Sequence, residues 1–221
     1  MLFLFSPGSV YSHDYPVLSR EFWIYRETAP DLLDGDFSGR RKTPEEETGE
    51  KITGILEEAV YVYSGMIYGF SFTYTPPDSR RGVDEVFEVE PAAQIRWGDP
   101  ALKTAGVRIE GNRIYFRINY STDESHSNWL RYWDSTSFAS SGGTAEGMAD
   151  TGLEGRMDAL NRALKEAVRN FLRPRVFNRP SSASGEFVLA EPPSYVYQAG
   201  RYTASVKIRL NIDAVEKYLY Y

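Results

Sequence analysis

The sequence predicts an α+β fold, a largely antiparallel sheet with two amphipathic helices packed on one face. Three observations predict it. Residues 202–212 alternate strictly, with Tyr202, Ala204, Val206, Ile208, Leu210 and Ile212 on one side of an extended chain and polar groups on the other. A slip of one residue would expose the whole apolar set, so this strand fixes its own register and requires a sheet with one covered face. Two further segments, beginning near Thr43 and near Met157, repeat apolar residues at intervals of three and four. A helix with one such stripe buries it against a sheet.

Taken in order, residues 1–12 (MLFLFSPGSVYS) open with an apolar run and end in Val10-Tyr11-Ser12, small or apolar at the first position and small at the last, as at a signal-peptidase site. A basic start is missing and the apolar run is short, so two readings stand: the remnant of a signal peptide, or an N-terminal arm that tucks Leu2, Phe3 and Phe5 against the core. Residues 13–43 hold Pro16, Pro30, Gly35 and Gly39 without sustained periodicity and read as an irregular arm, with at most a short strand near Phe22–Tyr25.

From 44 to 221 the chain reads as one α+β domain. Thr43 can cap a helix, Pro44 suits its first position, and Glu45, Glu46 and Glu47 sit where the helix dipole favours negative charge. Ile52, Ile55, Leu56, Ala59, Val60 and Tyr63 form its apolar stripe, leaving Glu50, Glu57 and Tyr61 to solvent. Tyr68 to Tyr74 and Val83 to Val89 follow as strands. Gly111-Asn112 then turns a hairpin whose return strand buries Ile114, Phe116, Ile118 and Tyr120.

Residues 134–155, rich in Ser, Thr and Gly, interrupt both periods and read as a long loop. The second helix has Met157, Leu160, Leu164, Ala167, Val168 and Phe171 on one face and ends before Pro174. A short strand at Phe187–Leu189 precedes Tyr195 to Tyr197, which pairs through Ala199-Gly200 with the strand from Tyr202. Asp213 to Tyr221 closes the chain as a short helix or a further strand. Residues 55–60 and 163–168 resemble each other, which is consistent with two similar helix-plus-strands halves, 44–133 and 151–221.

Composition narrows function. A net charge of −6 argues against a general nucleic-acid binder, because that affinity comes from neutralising phosphates. The absence of cysteine removes thiolate catalysis, cysteine-bound metal and disulfides. No run of about 18 apolar residues is present to form a transmembrane helix. Sixteen tyrosines favour sheet surfaces and interfaces, where a ring can be buried and its hydroxyl wet.

Three constellations are candidate sites. Asn128 to Asp134 places Trp129, Arg131, Tyr132 and Trp133 together, a stacking platform for a sugar, a peptide or a partner protein, or else a cover for the end of the core. Arg162, Lys165, Arg169 and Arg173 recur at helical spacing opposite the apolar stripe and form a basic strip suited to an acidic partner, a polyanionic glycan or peripheral contact with an anionic membrane surface. Residues 34–45 place Asp34, Asp36, Ser38 and Glu45 at the ligand spacing of an EF-hand-like calcium loop. Arg40, Arg41 and Lys42 lie inside that loop and oppose a cation, so it reads first as a polar lead into a capped helix.

Catalytic signatures are missing: only His13 and His126 are available as imidazoles, and no HExxH, GxSxG, GxGxxG or phosphate-loop pattern occurs. Asp123 to His126 reads as a polar turn. The expected function is a non-enzymatic binding or assembly module of the cell envelope, periplasmic or otherwise extracytoplasmic, that meets a protein or glycan through the aromatic patch and basic strip without a cofactor. The alternatives are a carbohydrate-active hydrolase using a carboxylate pair among Asp123, Glu124 and Asp134 near Trp129 and Trp133, and a cytoplasmic calcium-responsive protein using the loop 34–45.

Overall fold

A computed structural model describes residues 15–25, 44–149, 152–174 and 181–217. The N-terminal stretch 1–12 and the calcium-loop candidates Asp34, Asp36 and Ser38 lie outside these residues. So does the side chain of Glu45. Nine strands and three helices are described: β1 (Val17–Tyr25), α1 (Pro44–Ile67), β2 (Phe70–Thr75), β3 (Val86–Pro91), β4 (Leu102–Glu110), β5 (Arg113–Ser121), α2 (Glu124–Trp133), β6 (Ala139–Met148), α3 (Leu153–Leu172), β7 (Ser182–Leu189), β8 (Ser194–Gln198) and β9 (Arg201–Glu216).

The fold is α+β, with antiparallel sheets and helices packed against them, as the periodicities require. There are two sheets instead of one. Six strands form the larger in the order β3-β2-β7-β9-β6, with β8 also on β9; β1-β5-β4 form the smaller. The alternating segment is the spine of the large sheet. β9 pairs with β6, β7 and β8, and its Tyr202, Ala204, Val206, Ile208 and Leu210 are all buried. The turn from β8 is built as its residues suggest, with Ala199 and Gly200 both at positive φ (50° and 74°). Beyond Ile212 the strand runs on to Glu216, so the first part of the closing segment is strand and not helix.

The helix stripe predicted for α1 understates it. Ile55, Ala59, Val62, Tyr63 and Ile67 are almost wholly buried, and so are Glu58 beside them and Ser64 on another face. The reason is its position between the sheets. Tyr63 donates a hydrogen bond to the Ile118 carbonyl of the small sheet (2.6 Å) and meets the ring of Phe22 on β1, while Tyr61 packs on Phe70 of β2. A helix covered on both sides must be apolar most of the way round. Glu50 and Glu57 are exposed as expected, but Tyr61 is half-buried and its hydroxyl donates to Asn161 of α3 (3.1 Å).

The largest departure is in 134–155, read from sequence as a loop. Residues 139–148 form a ten-residue strand paired with β9 without a register break. Its small residues answer to the helix above it. A Cβ on Gly143 would stand 2.1 Å from the Ala163 carbonyl oxygen and 2.4 Å from the Ala167 nitrogen, and one on Gly147 would stand 2.1 Å from the Gly155 carbonyl oxygen. Here α3 rests directly on strand backbone, and the branched residues that usually mark a strand have no room.

Three other expectations change. The N-terminal strand is nine residues long, Val17–Tyr25, and pairs along its whole length with β5. The segment of Asp123 to His126 starts a third helix instead of a simple turn. The two proposed halves do not fold as separate units, because β2 of the first pairs with β7 of the second. The likeness of 55–60 to 163–168 also covers unlike environments: Glu58 is buried, whereas Glu166 is half-exposed.

Candidate functional site

The aromatic segment folds as α2, and its first turn explains why. Asp123 is the N-cap: its side chain accepts from the His126 amide (2.9 Å), and His126 Nδ1 accepts in return from the Asp123 amide (3.2 Å). His126 Nε2 shares a further hydrogen bond with the Tyr68 hydroxyl at 2.8 Å. At the far end Arg209 of β9 donates to the Trp133 carbonyl (3.1 Å) and pairs with Asp134 (2.8 Å), placing a cation at the helix C-terminus. Both ends of this short helix are thereby fixed to sheet or loop.

Helical spacing separates the roles of the two tryptophans. Trp133 is 3% exposed and lies 4.7 Å from the ring of Phe138, covering the core. Trp129 is 42% exposed and Tyr132 51% exposed. These two rings meet edge to face at 6.1 Å, and Tyr68 and Phe138 extend the cluster on either side. Arg131 turns back along its own helix, donating to the Ser127 carbonyl and the Asn128 side chain. The sequence-predicted patch is therefore brought together as Trp129 and Tyr132, with Trp133 beneath as its support.

Beside the patch opens a cleft of about 500 Å³ lined by Met66, Leu130, Trp133, Val188, Leu189 and Arg209, among others. The lining is chiefly apolar with a few polar groups, the usual composition of a ligand site. Ser127 Oγ and Trp133 Nε1, from two lining residues, are buried without a hydrogen-bond partner. Of the carboxylates near the tryptophans, Asp134 lines this cleft, while Asp123 caps the opposite end of the helix, roughly 16 Å away along the axis at 1.5 Å per residue. Among the described residues no group of three or more His, Asp or Glu side chains is placed to hold a metal ion.

A protein-family model matches residues 7–218. The chain belongs to this uncharacterised family. Over 204 residues it is 25% identical to an uncharacterized protein of Treponema pallidum (strain Nichols), an alignment that covers 92% of this chain and 83% of that protein. No solved structure matches. Among the described residues of this family member, no helix is long and apolar enough to cross a membrane.

The basic strip is real but largely paired. Arg162 meets Asp158 at 2.9 Å, Lys165 meets Glu85 at 2.7 Å, and Arg169 meets Glu166 at 3.2 Å. Arg173 sits at the C-cap of α3, where its backbone amide donates to the Arg169 carbonyl. The strip thus supports its own helix and the loop before β3 before it meets any partner. Glu85 also accepts from the Tyr74 hydroxyl (2.9 Å); burial raises its pKa, but the Lys165 and Tyr74 hydrogen bonds outweigh this and hold it below 4.5.

Sequence reasoning missed the buried ion pair of Glu58 and Arg156. Both side chains are 2% exposed. Arg156 donates to Glu58 and to the Trp23 carbonyl (2.5 Å), and its guanidinium lies 5.1–5.9 Å from the ring centres of Tyr195, Trp23 and Tyr202. Burial pushes the Glu58 carboxyl up against the opposing pull of Arg156. One signal could have exposed it: Glu58 falls between Ile55, Ala59 and Val62 on a helix whose other faces are also apolar.

Proposed function

We propose that this protein is a non-enzymatic binding module whose recognition surface is the aromatic face of α2 with the adjoining cleft. The observation that supports this most directly is the exposure of Trp129 and Tyr132 side by side over a buried Trp133. Large aromatic rings held by a rigid base are the common anchors of protein and glycan recognition. The pairing of the basic strip makes α2, and not α3, the main contact. The extracytoplasmic location that belongs to this reading rests on the apolar Leu2–Phe5 run and Val10-Tyr11-Ser12 of the sequence alone.

The test uses the exposed rings and spares the buried one. Affinity capture from an envelope extract with the wild type is expected to recover a discrete partner, and a Trp129→Ala/Tyr132→Ala double variant of unchanged circular dichroism is expected to recover at least tenfold less. Equal recovery by the two proteins would overturn the proposal.

A further inference from the structure

The cleft beside α2 combines an apolar floor with one cation that no carboxylate answers. Leu130 and Trp133 of α2, Met66 of α1 and Val188 and Leu189 of β7 make the floor. Trp133, Val188 and Leu189 are at most 3% exposed, so the floor is the edge of the core itself and is fixed by its packing. Charge at the cleft comes from Arg131, Asp134 and Arg209. Two of these cancel, because Arg209 pairs with Asp134 at 2.8 Å and also donates to the Trp133 carbonyl.

Arg131 differs. Its Nε donates to the Ser127 carbonyl (3.3 Å) and its Nη2 to the Asn128 side chain (2.8 Å), both neutral acceptors, and among the described residues no carboxylate pairs with it. Of the roughly five N–H groups of a guanidinium, those of Nη1 and the second of Nη2 are left over, a fork that suits the two oxygens of a carboxylate. The residue is exposed, so the fork is within reach of solutes. Its bonds to Ser127 and Asn128 hold the cation at the start of the α2 lining, with Leu130 and Trp133 following along the helix. That lining runs from Ser127 to Asp134, about 10 Å at 1.5 Å per residue. An extended chain of about ten carbons has the same length, at roughly 1.2 Å per bond.

We propose that the cleft binds a free fatty acid of medium chain length, with its carboxylate on Arg131 and its chain laid over Leu130, Trp133 and Leu189. A volume of about 500 Å³ suits one such chain, within the range of small-molecule sites. A neutral ligand fills the same floor but leaves Arg131 to water, and a cationic head is repelled by it. The inference rests on the reading of the cleft as part of the recognition surface, and it names what that part takes. Trp129 and Tyr132 do not line the cleft and stay open to the macromolecular partner.

Calorimetric titration of the full chain with decanoate at neutral pH, below its micellar concentration, tests this, and saturable one-to-one binding is expected. Octanoate, two methylenes shorter, is expected to bind about tenfold more weakly. Decyltrimethylammonium, with the same chain and the opposite charge, is expected to be weaker by at least about tenfold. Arg131→Gln, with circular dichroism unchanged, is expected to weaken decanoate about tenfold and to erase the preference between the two head groups. In a protein that keeps Trp133 as its one indole, the others replaced by phenylalanine, decanoate with a terminal bromine is expected to quench the fluorescence. No saturable binding, equal binding of octanoate, full affinity in Arg131→Gln or an unquenched Trp133 would each overturn the proposal. Equal binding of the two head groups would overturn it in favour of an apolar side chain of a protein partner. The Trp129→Ala/Tyr132→Ala variant is expected to bind decanoate as the wild type does. Decanoate binding without a captured partner therefore strikes the aromatic reading alone, and a captured partner without decanoate binding strikes this inference alone.

Discussion

At the scale of single residues, stability turns on charges placed where water does not reach. Arg156 joins α3 to Glu58 on α1 and to the backbone of β1, and the rings of Trp23, Tyr195 and Tyr202 enclose it. Removing one partner of such a pair leaves a buried charge unmatched, which costs about 3–5 kcal/mol. Arg156→Ala is expected to lower the urea midpoint accordingly, while a Glu58→Met/Arg156→Met double variant recovers most of the loss. A single variant within about 1 kcal/mol of wild type would contradict the geometry. Glu85 makes the opposite kind of case, lying near the surface with a lowered pKa. A carboxylate whose folded pKa lies below its unfolded value contributes stability above the unfolded value, here 4.5, and loses it as pH falls through the folded one. Glu85→Gln is thus expected to cost about 1 kcal/mol at neutral pH and nothing once both carboxyl states are protonated, well below pH 4.5. Denaturation curves followed from pH 7 down to pH 3 trace the cost, and a cost that does not shrink on acidification would refute it.

At the scale of elements, closeness of backbone to backbone explains both what the sequence reveals and what it conceals. β9 is readable because one face of it is covered and the other wet, so alternation is imposed at every second residue. The hairpin of β4 and β5 is readable because Gly111, at φ 58°, supplies the turn. β6 is unreadable for the reason that makes it fit: with α3 resting on Gly143 and Gly147, its signature is a lack of side chains, which also describes a loop. At α2 the aromatic cluster is visible in sequence, but which ring is buried depends on the helical phase that the Asp123 cap sets. The pairing of the basic strip is partly visible, since Asp158 and Glu166 lie three or four residues from their partners, whereas Glu85 is brought to Lys165 only by the fold. The contact under α3 can be tested directly. Gly143→Ala forces a methyl into backbone that cannot yield as a side chain would, and is expected to cost at least about 1–3 kcal/mol. Gly142→Ala, whose new atom would meet only the Val206 carbonyl oxygen at 3.3 Å, is expected to cost far less. Thermal melts of the two variants give the comparison, and equal costs would show that the helix is not seated there.

At the scale of the molecule, α1 determines whether the two sheets behave as one body. The small sheet shares no described strand pairing with the large one. They are joined by the helix between, through Tyr63 on Phe22 and Ile118 on one side and Tyr61 on Phe70 on the other, by the Arg156 contact with Trp23, and by direct ring contacts of Trp23 with Tyr202 and of Tyr25 with Tyr197. Because the same helix completes both cores, neither sheet can lose its cover without exposing the apolar face of the other. Loss of either should then carry the whole structure with it, even in a chain longer than most two-state domains. Two tryptophans stand where this can be watched: Trp23 on β1 of the small sheet and Trp133, buried at the C-terminal end of α2, whose carbonyl is held by Arg209 of the large sheet. In proteins that keep only one of these indoles, the others replaced by phenylalanine, the two fluorescence signals are expected to change at the same urea concentration. Arg156→Ala, which cuts one of the joins without removing α1, is expected to move both midpoints down together. If the Trp23 signal instead melts first, with the Trp133 transition unmoved, the small sheet is a separate unit leaning on the helix and α1 belongs to the large sheet alone.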